Sequence, residues 1–246
     1  HLGCAAFIIY FYVMGKGELK VIPILFKLKK DIVGETFKIG SVNLVRQGTI
    51  SLIAILLNNT LYFYGSQTGG IGGEVAISVY GLATRMAMFA LFPLIGIAQG
   101  FMPIAGYNYG ANHFERVKSV INVSLIAGLA VSIVITAILL FSSNYIPYLF
   151  TKDPALIEHG PTAIFWIFSS TPILVFLLIA PSYFQAIGKA LPALLLTLTK
   201  QGIFLIPLVF ILPMFFGLEG IWYSFPISDS ISAIICYYFL RKSSNK

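Results

Sequence analysis

The 246 residues are 58% hydrophobic and only 10% charged, where a soluble domain is nearer a quarter charged. That balance marks an integral membrane protein. Its apolar runs at 119–151, 160–188 and 201–218 are continuous rather than alternating, which excludes a β-barrel. The net charge of +7 does not point to nucleic acid, because Lys and Arg sit in short connections where they act as topology signals.

The chain opens at His1 and is at once apolar. Residues 1–14 are too short for a full crossing and read as the end of a preceding transmembrane helix, with no signal-peptide pattern before them. Residues 15–38 contain Lys16, Lys20, Lys27, Lys29, Lys30 and Lys38 among apolar residues. They read as a basic cytoplasmic linker, either lying in the membrane interface or forming a solvated loop with snorkelling lysines.

Residues 39–240 hold six candidate spans: 39–64, 75–107, 118–141, 161–184, 191–216 and 221–240. A tail, 241–246, follows. Each span approaches or exceeds the roughly 20 residues of a crossing. Tyr145, Tyr148, Trp166, Trp222, Tyr237 and Tyr238 fall near span ends, as an aromatic belt requires. The 15–38 segment, the turns with Arg116, Lys118 and Lys189, and the tail with Arg241 all fall on one side. The opposite turns contain only Lys152. Six helices in even alternation, with the C-terminus cytoplasmic, satisfy the positive-inside rule.

A charge at mid-bilayer costs about 2.5–3.5 kcal/mol on insertion scales, so each needs a reason. Asn43, Arg46, Gln47 and Asn58 lie in the first span, Arg85 and Gln99 in the second, Lys200 and Gln201 in the fifth, and Asp229 in the sixth. Asp229 is the one carboxylate well inside a span. It reads as a proton or cation relay, or as a buried ion pair with Arg46, Arg85 or Lys200. The availability of three cations favours the ion pair. The polar amides line a cavity or bond helix to helix, and helix packing is the simpler reading of any single one.

The second span runs through Pro93, Gly96, Gly100, Pro103 and Gly106 to a Gly/Asn/Tyr turn. Prolines remove backbone donors, so Pro93, Gly96, Pro103 and Gly106 are hinge candidates and the helix is expected to bend. Asn112 and Glu115 have capping-box spacing. His1, His113 and His159 are far apart, and Cys4 and Cys236 sit in separate apolar segments. No metal spacing, phosphate loop or nucleophile elbow appears, so neither an enzyme nor a metal site is expected.

The segment GIAQGFMPIAGYNYGANHFERV, residues 96–117, resembles the eighth-helix signature of multidrug and toxic compound extrusion (MATE) transporters. The matching positions are Gly96, Ile97, Gln99, Pro103, Gly106, Tyr107, Asn108, Tyr109, Gly110, Ala111, Arg116 and Val117. YGLATRMAMFALFPL, KQGIFLIPLVFIL, GIWYSFPISD and IGSVNLVRQ resemble further helices of the family. Val42 stands where a proline is usual. The acids that some branches carry in the seventh and tenth helices have no counterpart in 39–64 or 161–184.

The resemblance implies an all-α integral membrane fold: a six-helix transmembrane lobe, the second half of a twelve-helix, two-lobe transporter, preceded by the tail of another helix. It implies alternating-access export of organic cations and drugs, coupled to Na⁺ or H⁺. A lipid bilayer of the bacterial inner membrane and an N-terminal lobe are the partners, with no cofactor beyond the coupling ion. A flippase for a lipid-linked saccharide is the alternative.

Overall fold

The structure is a computed structural model that describes Leu2–Val13, Lys30–Gln67 and residues 71–244. These residues are helical apart from short turns: α1 (Leu2–Val13), α2 (Lys30–Gln67), α3 (Gly73–Gly110), α4 (Phe114–Phe141), α5 (Ile146–Phe150), α6 (Pro154–Ser169), α7 (Leu174–Ala186), α8 (Ala190–Leu198), α9 (Ile206–Phe216) and α10 (Leu218–Ser244). A 3₁₀ turn, Thr171–Ile173, joins α6 to α7, and a π-helical stretch, Thr199–Leu205, joins α8 to α9. Two compact units divide the chain, His1–Gly40 and Ser41–Lys246. The first holds α1 and the opening turns of α2, and most of the basic 15–38 segment (15–29) lies outside the described residues. The remainder of that segment is helical rather than loop, because α2 begins at Lys30 with Asp31 in its first turn, where a negative charge favours a helix start.

The second unit is a bundle. Gly73–Gly110, Phe114–Phe141, Pro154–Ala186 and Ala190–Phe216 are long and apolar enough to cross a membrane by length and composition. α2 and α10 reach spanning length, at 38 and 27 residues, with a more polar make-up. α10 carries Asp229, and α2 carries Arg46, Gln47, Asn58 and Asn59.

Periodicity sets the packing. α3 buries Ala76, Val79, Ala83, Met86, Ala90, Leu94, Ala98, Phe101 and Ala105, a stripe at three- and four-residue spacing that gives one face to the bundle. α4, α6 and α7 pack on it. α10 buries Ser224, Ser228, Ser232 and Cys236, each fully. Small side chains every fourth residue let neighbouring backbones approach closely, and α7, α9 and the π stretch do so. The outward faces carry apolar residues such as Ile126, Val134 and Phe141, suited to lipid.

Of three apolar clusters among the described residues, one gathers Leu82, Met86, Ala90, Ile146, Ile164 and Phe168, and the other two are cores at opposite ends of the bundle. The first core gathers Phe101, Ile121, Ile179, Tyr183, Leu196 and Leu240. The second gathers Leu57, Val79, Leu205, Val209, Ile221 and Trp222. Trp222 is therefore a core residue, 3% exposed, and not part of the expected belt. Tyr145, Tyr148, Tyr237 and Tyr238 are exposed. Trp166 is half-buried, packed edge-on against Tyr223 at 4.6 Å between centroids.

The turns at one end share a single design. His113 N–H donates to Asn108 C=O (2.9 Å) and Asn112 N–H to Tyr109 C=O (3.0 Å), with Asn112 in the left-handed region at φ 60°. This is a Schellman closure of α3. The capping-box expectation for Asn112 is thus corrected: it terminates α3, and His113 precedes α4 without a side-chain cap. Lys189 N–H to Phe184 C=O (2.8 Å) and Gly188 N–H to Gln185 C=O (3.0 Å), with Gly188 at φ 75°, repeat the closure after α7.

Candidate functional site

Asp229 sits midway along α10, between the two apolar cores, and is 2% exposed. Its Oδ1 lies 2.8 Å from Lys200 Nζ. The Ser170 hydroxyl donates to Oδ2 at 2.6 Å. A buried carboxylate must be neutralised and hydrogen-bonded to be tolerated, and both requirements are met across three different elements.

Those partners come from the two places where the bundle's helices depart from α geometry. Ser170 lies at the end of α6, just before the 3₁₀ turn, where Pro172 lacks a backbone donor. Lys200 is the second residue of the π stretch Thr199–Leu205. A π turn displaces carbonyls from the regular ladder and recurs at functional sites. Here the Lys200 carbonyl accepts the Ser228 hydroxyl at 2.9 Å. α10 therefore holds Lys200 twice, by its ammonium at Asp229 and by its carbonyl at Ser228.

The pair borders a cavity of about 320 Å³, mostly apolar, walled by α2, α3, α6, the π stretch and α10. Tyr80 and Phe225 stack across it with centroids 6.1 Å apart and planes 27° apart. Gln201 and Thr84 add polar groups. Thr171 also lines it. Its hydroxyl is buried and has no hydrogen-bond partner among the described residues.

The other sequence candidates disperse. Gln47, Asn58 and Gln99 are exposed. The side chains of Asn43 and Arg46 lie outside the described residues. Arg85 is exposed and borders a separate hollow beside Phe150 and Leu156. Of the cations expected to neutralise Asp229, Lys200 is the one found against it. Pro93, Gly96 and Pro103 are exposed on α3, which stays helical from Gly73 to Gly110. Gly106 is a close-packing position: a Cβ there would lie 3.1 Å from the Ala186 carbonyl oxygen.

Sequence reasoning missed Ser170 and Thr171. The run Ser169-Ser170-Thr171-Pro172 carried a usable signal, since the residue before a proline is biased out of helix. The π stretch left no such signal. Among the described residues, no group of three His, Cys, Asp or Glu is placed to hold a metal.

A polar centre buried where interrupted helices meet in a multi-pass bundle defines the half-bundle of a helical membrane transporter. The MatE family model matches residues 51–211, and the chain belongs to that family. Multidrug export protein MepA of Staphylococcus aureus (strain bovine RF122 / ET3-1) is 27% identical over 245 residues, 98% of this chain and 52% of the relative. MepA of Staphylococcus haemolyticus (strain JCSC1435) is 25% identical over 220 residues, 89% of the chain and 46% of the relative. The solved outward-facing conformation of a multidrug resistance MATE family transporter of the MOP superfamily superposes with a TM-score of 0.88 at 19% identity. That match covers 99% of this chain and 54% of the other. The inward-facing conformation gives 0.79 at 20% identity, covering 89% and 50%. The chain thus spans about half the length of the relatives it matches, and corresponds to the C-terminal half of a MATE transporter.

Proposed function

We propose that this lobe forms one wall of a cation-coupled antiporter that exports organic cations and other drugs by alternating access, together with an N-terminal lobe. The observation that carries the reading is Asp229, held by Lys200 and Ser170 at the edge of a mostly apolar 320 Å³ cavity. The name of the MepA relatives, multidrug export protein, supports the same class of substrate.

The chemistry is competitive. Lys200 occupies Asp229 as a tethered cation. An arriving Na⁺ or H⁺, or an organic cation, competes for the same carboxylate and releases the ammonium. The 3₁₀ turn and the π stretch are the elements this exchange unlocks, because Ser170 and Lys200 tie both to α10. The Tyr80–Phe225 stack offers a flat face to a planar or cationic ligand, and Thr171 and Gln201 offer hydrogen bonds. The setting is a bacterial inner membrane, with the basic turns and the C-terminus on the cytoplasmic side.

A flippase for a lipid-linked saccharide would want several cations facing an anionic headgroup. Lys200 is neutralised and Arg85 borders a different hollow, so drug export is the better-supported reading. The test is cation-driven drug efflux by the intact transporter in proteoliposomes. Asp229→Asn is expected to lose efflux while still inserting in the membrane. Wild-type efflux by that variant would sink the role given to Asp229.

A further inference from the structure

Away from Asp229, the end of the bundle that carries both Schellman turns holds a second constructed feature. Lys118, in the first turns of α4, lies between two hollows. One, of about 280 Å³, runs between α4 and α10 and is lined by Lys118, Asn122 and Arg241 at its mouth and by Ile121, Leu125 and Leu240 further in. The other, of about 170 Å³, brings Lys189 and Ser243 to the opposite side of Lys118. Cations from three elements, α4, α10 and the α7–α8 turn, thus converge at one rim.

The groove is graded along its length. Arg241 donates to the Tyr237 hydroxyl, and its guanidinium lies 5.8 Å from the Tyr237 ring centroid, so the arm is held at the mouth. Ile121 and Leu125 sit one and two turns below Lys118 on α4, giving an apolar floor that descends toward the middle of the bundle. The acid nearby, Glu115, pairs with Lys118 at 3.1 Å, but its side chain is 88% exposed against 37% for Lys118. A solvent-facing pair of this kind contributes little, and Glu115 lines neither hollow.

We propose that this groove is a binding site for an anionic glycerophospholipid. The headgroup phosphate sits between Lys118 and Arg241, within reach of the Asn122 amide, and one acyl chain lies along Ile121 and Leu125. Basic pockets between membrane helices suit anionic headgroups, and the apolar floor requires a ligand with a tail. The position of the groove, at the rim where α4, α10 and the α7–α8 turn meet, places lipid against the elements that carry Lys189 and the C-terminal turns of α10. Bound lipid there would brace α4 against α10.

The test is native mass spectrometry of the intact, delipidated transporter titrated with phosphatidylglycerol, phosphatidylcholine or inorganic phosphate. Phosphatidylglycerol is expected to bind at least tenfold more tightly than phosphatidylcholine. Lys118→Gln and Arg241→Gln are each expected to weaken it about fivefold, the loss of one near-surface cation, and Lys118→Arg to retain it. Leu125→Trp, which fills the floor and leaves every charge in place, is expected to weaken phosphatidylglycerol as well. Arg116→Gln, a basic residue outside both hollows, is expected to leave binding unchanged. Thermal unfolding of each variant reports whether it is folded, and the Leu125 and Arg116 variants keep the rim cations untouched. Equal binding of the two lipids would overturn the proposal. So would an Arg116→Gln loss as large as that of Lys118→Gln, which would indicate diffuse charge attraction. Displacement of the lipid by millimolar inorganic phosphate, with Leu125→Trp unaffected, would overturn the lipid in favour of a bare anion site.

Discussion

α3 and the two interrupted helices that face it respond differently to the same chemistry. α3 contains Pro93 and Pro103 with Gly96 and Gly100, yet it remains helical over 38 residues. The α6–α7 crossing breaks at Thr171–Ile173, beside a single proline, and the α8–α9 crossing turns to π geometry over Thr199–Leu205, a stretch with no proline at all. The difference lies in what each backbone must satisfy. The prolines and the glycines Gly96 and Gly100 of α3 lie on its exposed side, where no buried group requires a backbone partner. Both interruptions abut Asp229, a buried acid that takes a hydroxyl from one and an ammonium from the other. Both interruptions have a proline in or just after them, Pro172 and Pro207, but α3 shows that proline alone does not break a helix here. The breaks coincide with the buried charge.

Substitutions can break or sharpen that contrast. The largest effect is expected at the acid. Asp229→Asn leaves Lys200 without its counter-charge, and breaking a buried pair costs about 3–5 kcal/mol, nearer the lower figure because Lys200 is 26% exposed. Thermal unfolding of the purified transporter measures it. Joint replacement, Asp229→Leu with Lys200→Met, is expected to recover most of that stability while transport stays lost, which separates the pair's packing from its chemistry. An unchanged melting temperature for Asp229→Asn alone would show that the acid does not hold the interruptions in place.

Ser170→Ala comes next. It removes a hydrogen bond to a charged acceptor, a loss of about 1.5–3 kcal/mol, and amide exchange across 169–173 is expected to rise. No change in exchange would detach the 3₁₀ turn from the acid. A smaller cost, about 1–2 kcal/mol, is expected for Gly188→Ala, which forces a side chain into the left-handed region at φ 75°. The smallest effect lies on α3. A Cβ at Gly96 meets nothing within 4 Å, so Gly96→Ala is expected to stabilise the helix by about 0.5–1 kcal/mol with efflux intact. Efflux that falls while stability rises would give Gly96 a bending role in transport and weaken the contrast.

The fold was legible where composition and periodicity decide it. Apolar length pointed to the four helices long and apolar enough to cross a membrane, with the largest shift at the start of α6, which begins at Pro154. The segments expected at 39–64 and 221–240 are also helical, within α2 and α10, of spanning length but more polar. Asp229 and Lys200 were legible because an ionisable residue in a span stands out against its surroundings. What failed to show was local backbone geometry. A π turn has no residue signature comparable to a glycine or proline, so nothing in Thr199–Leu205 announced it. Asn112 fitted two roles, capping the helix ahead with Glu115 three residues on or closing the helix behind, and the dihedral angle distinguishes them. Trp222 fitted an interfacial belt by position, but it faces inward on α10, toward Leu57 and Val209 in the same core.

The four-residue stripe on α10, Ser224, Ser228, Ser232 and Cys236, has a consequence beyond close packing. Ser224 and Ser228 spend their hydroxyls on carbonyls, Gly220 and Lys200, while the Ser232 hydroxyl is buried without a partner among the described residues. What the four positions share is therefore size rather than bonding. At Ser232 and Cys236 a small side chain of any kind fills the same space, whereas Ser228 also carries the second hold on Lys200. Bulk at any of the four would push α10 off its neighbours, and loss of the hydroxyl at Ser228 alone would loosen the π stretch.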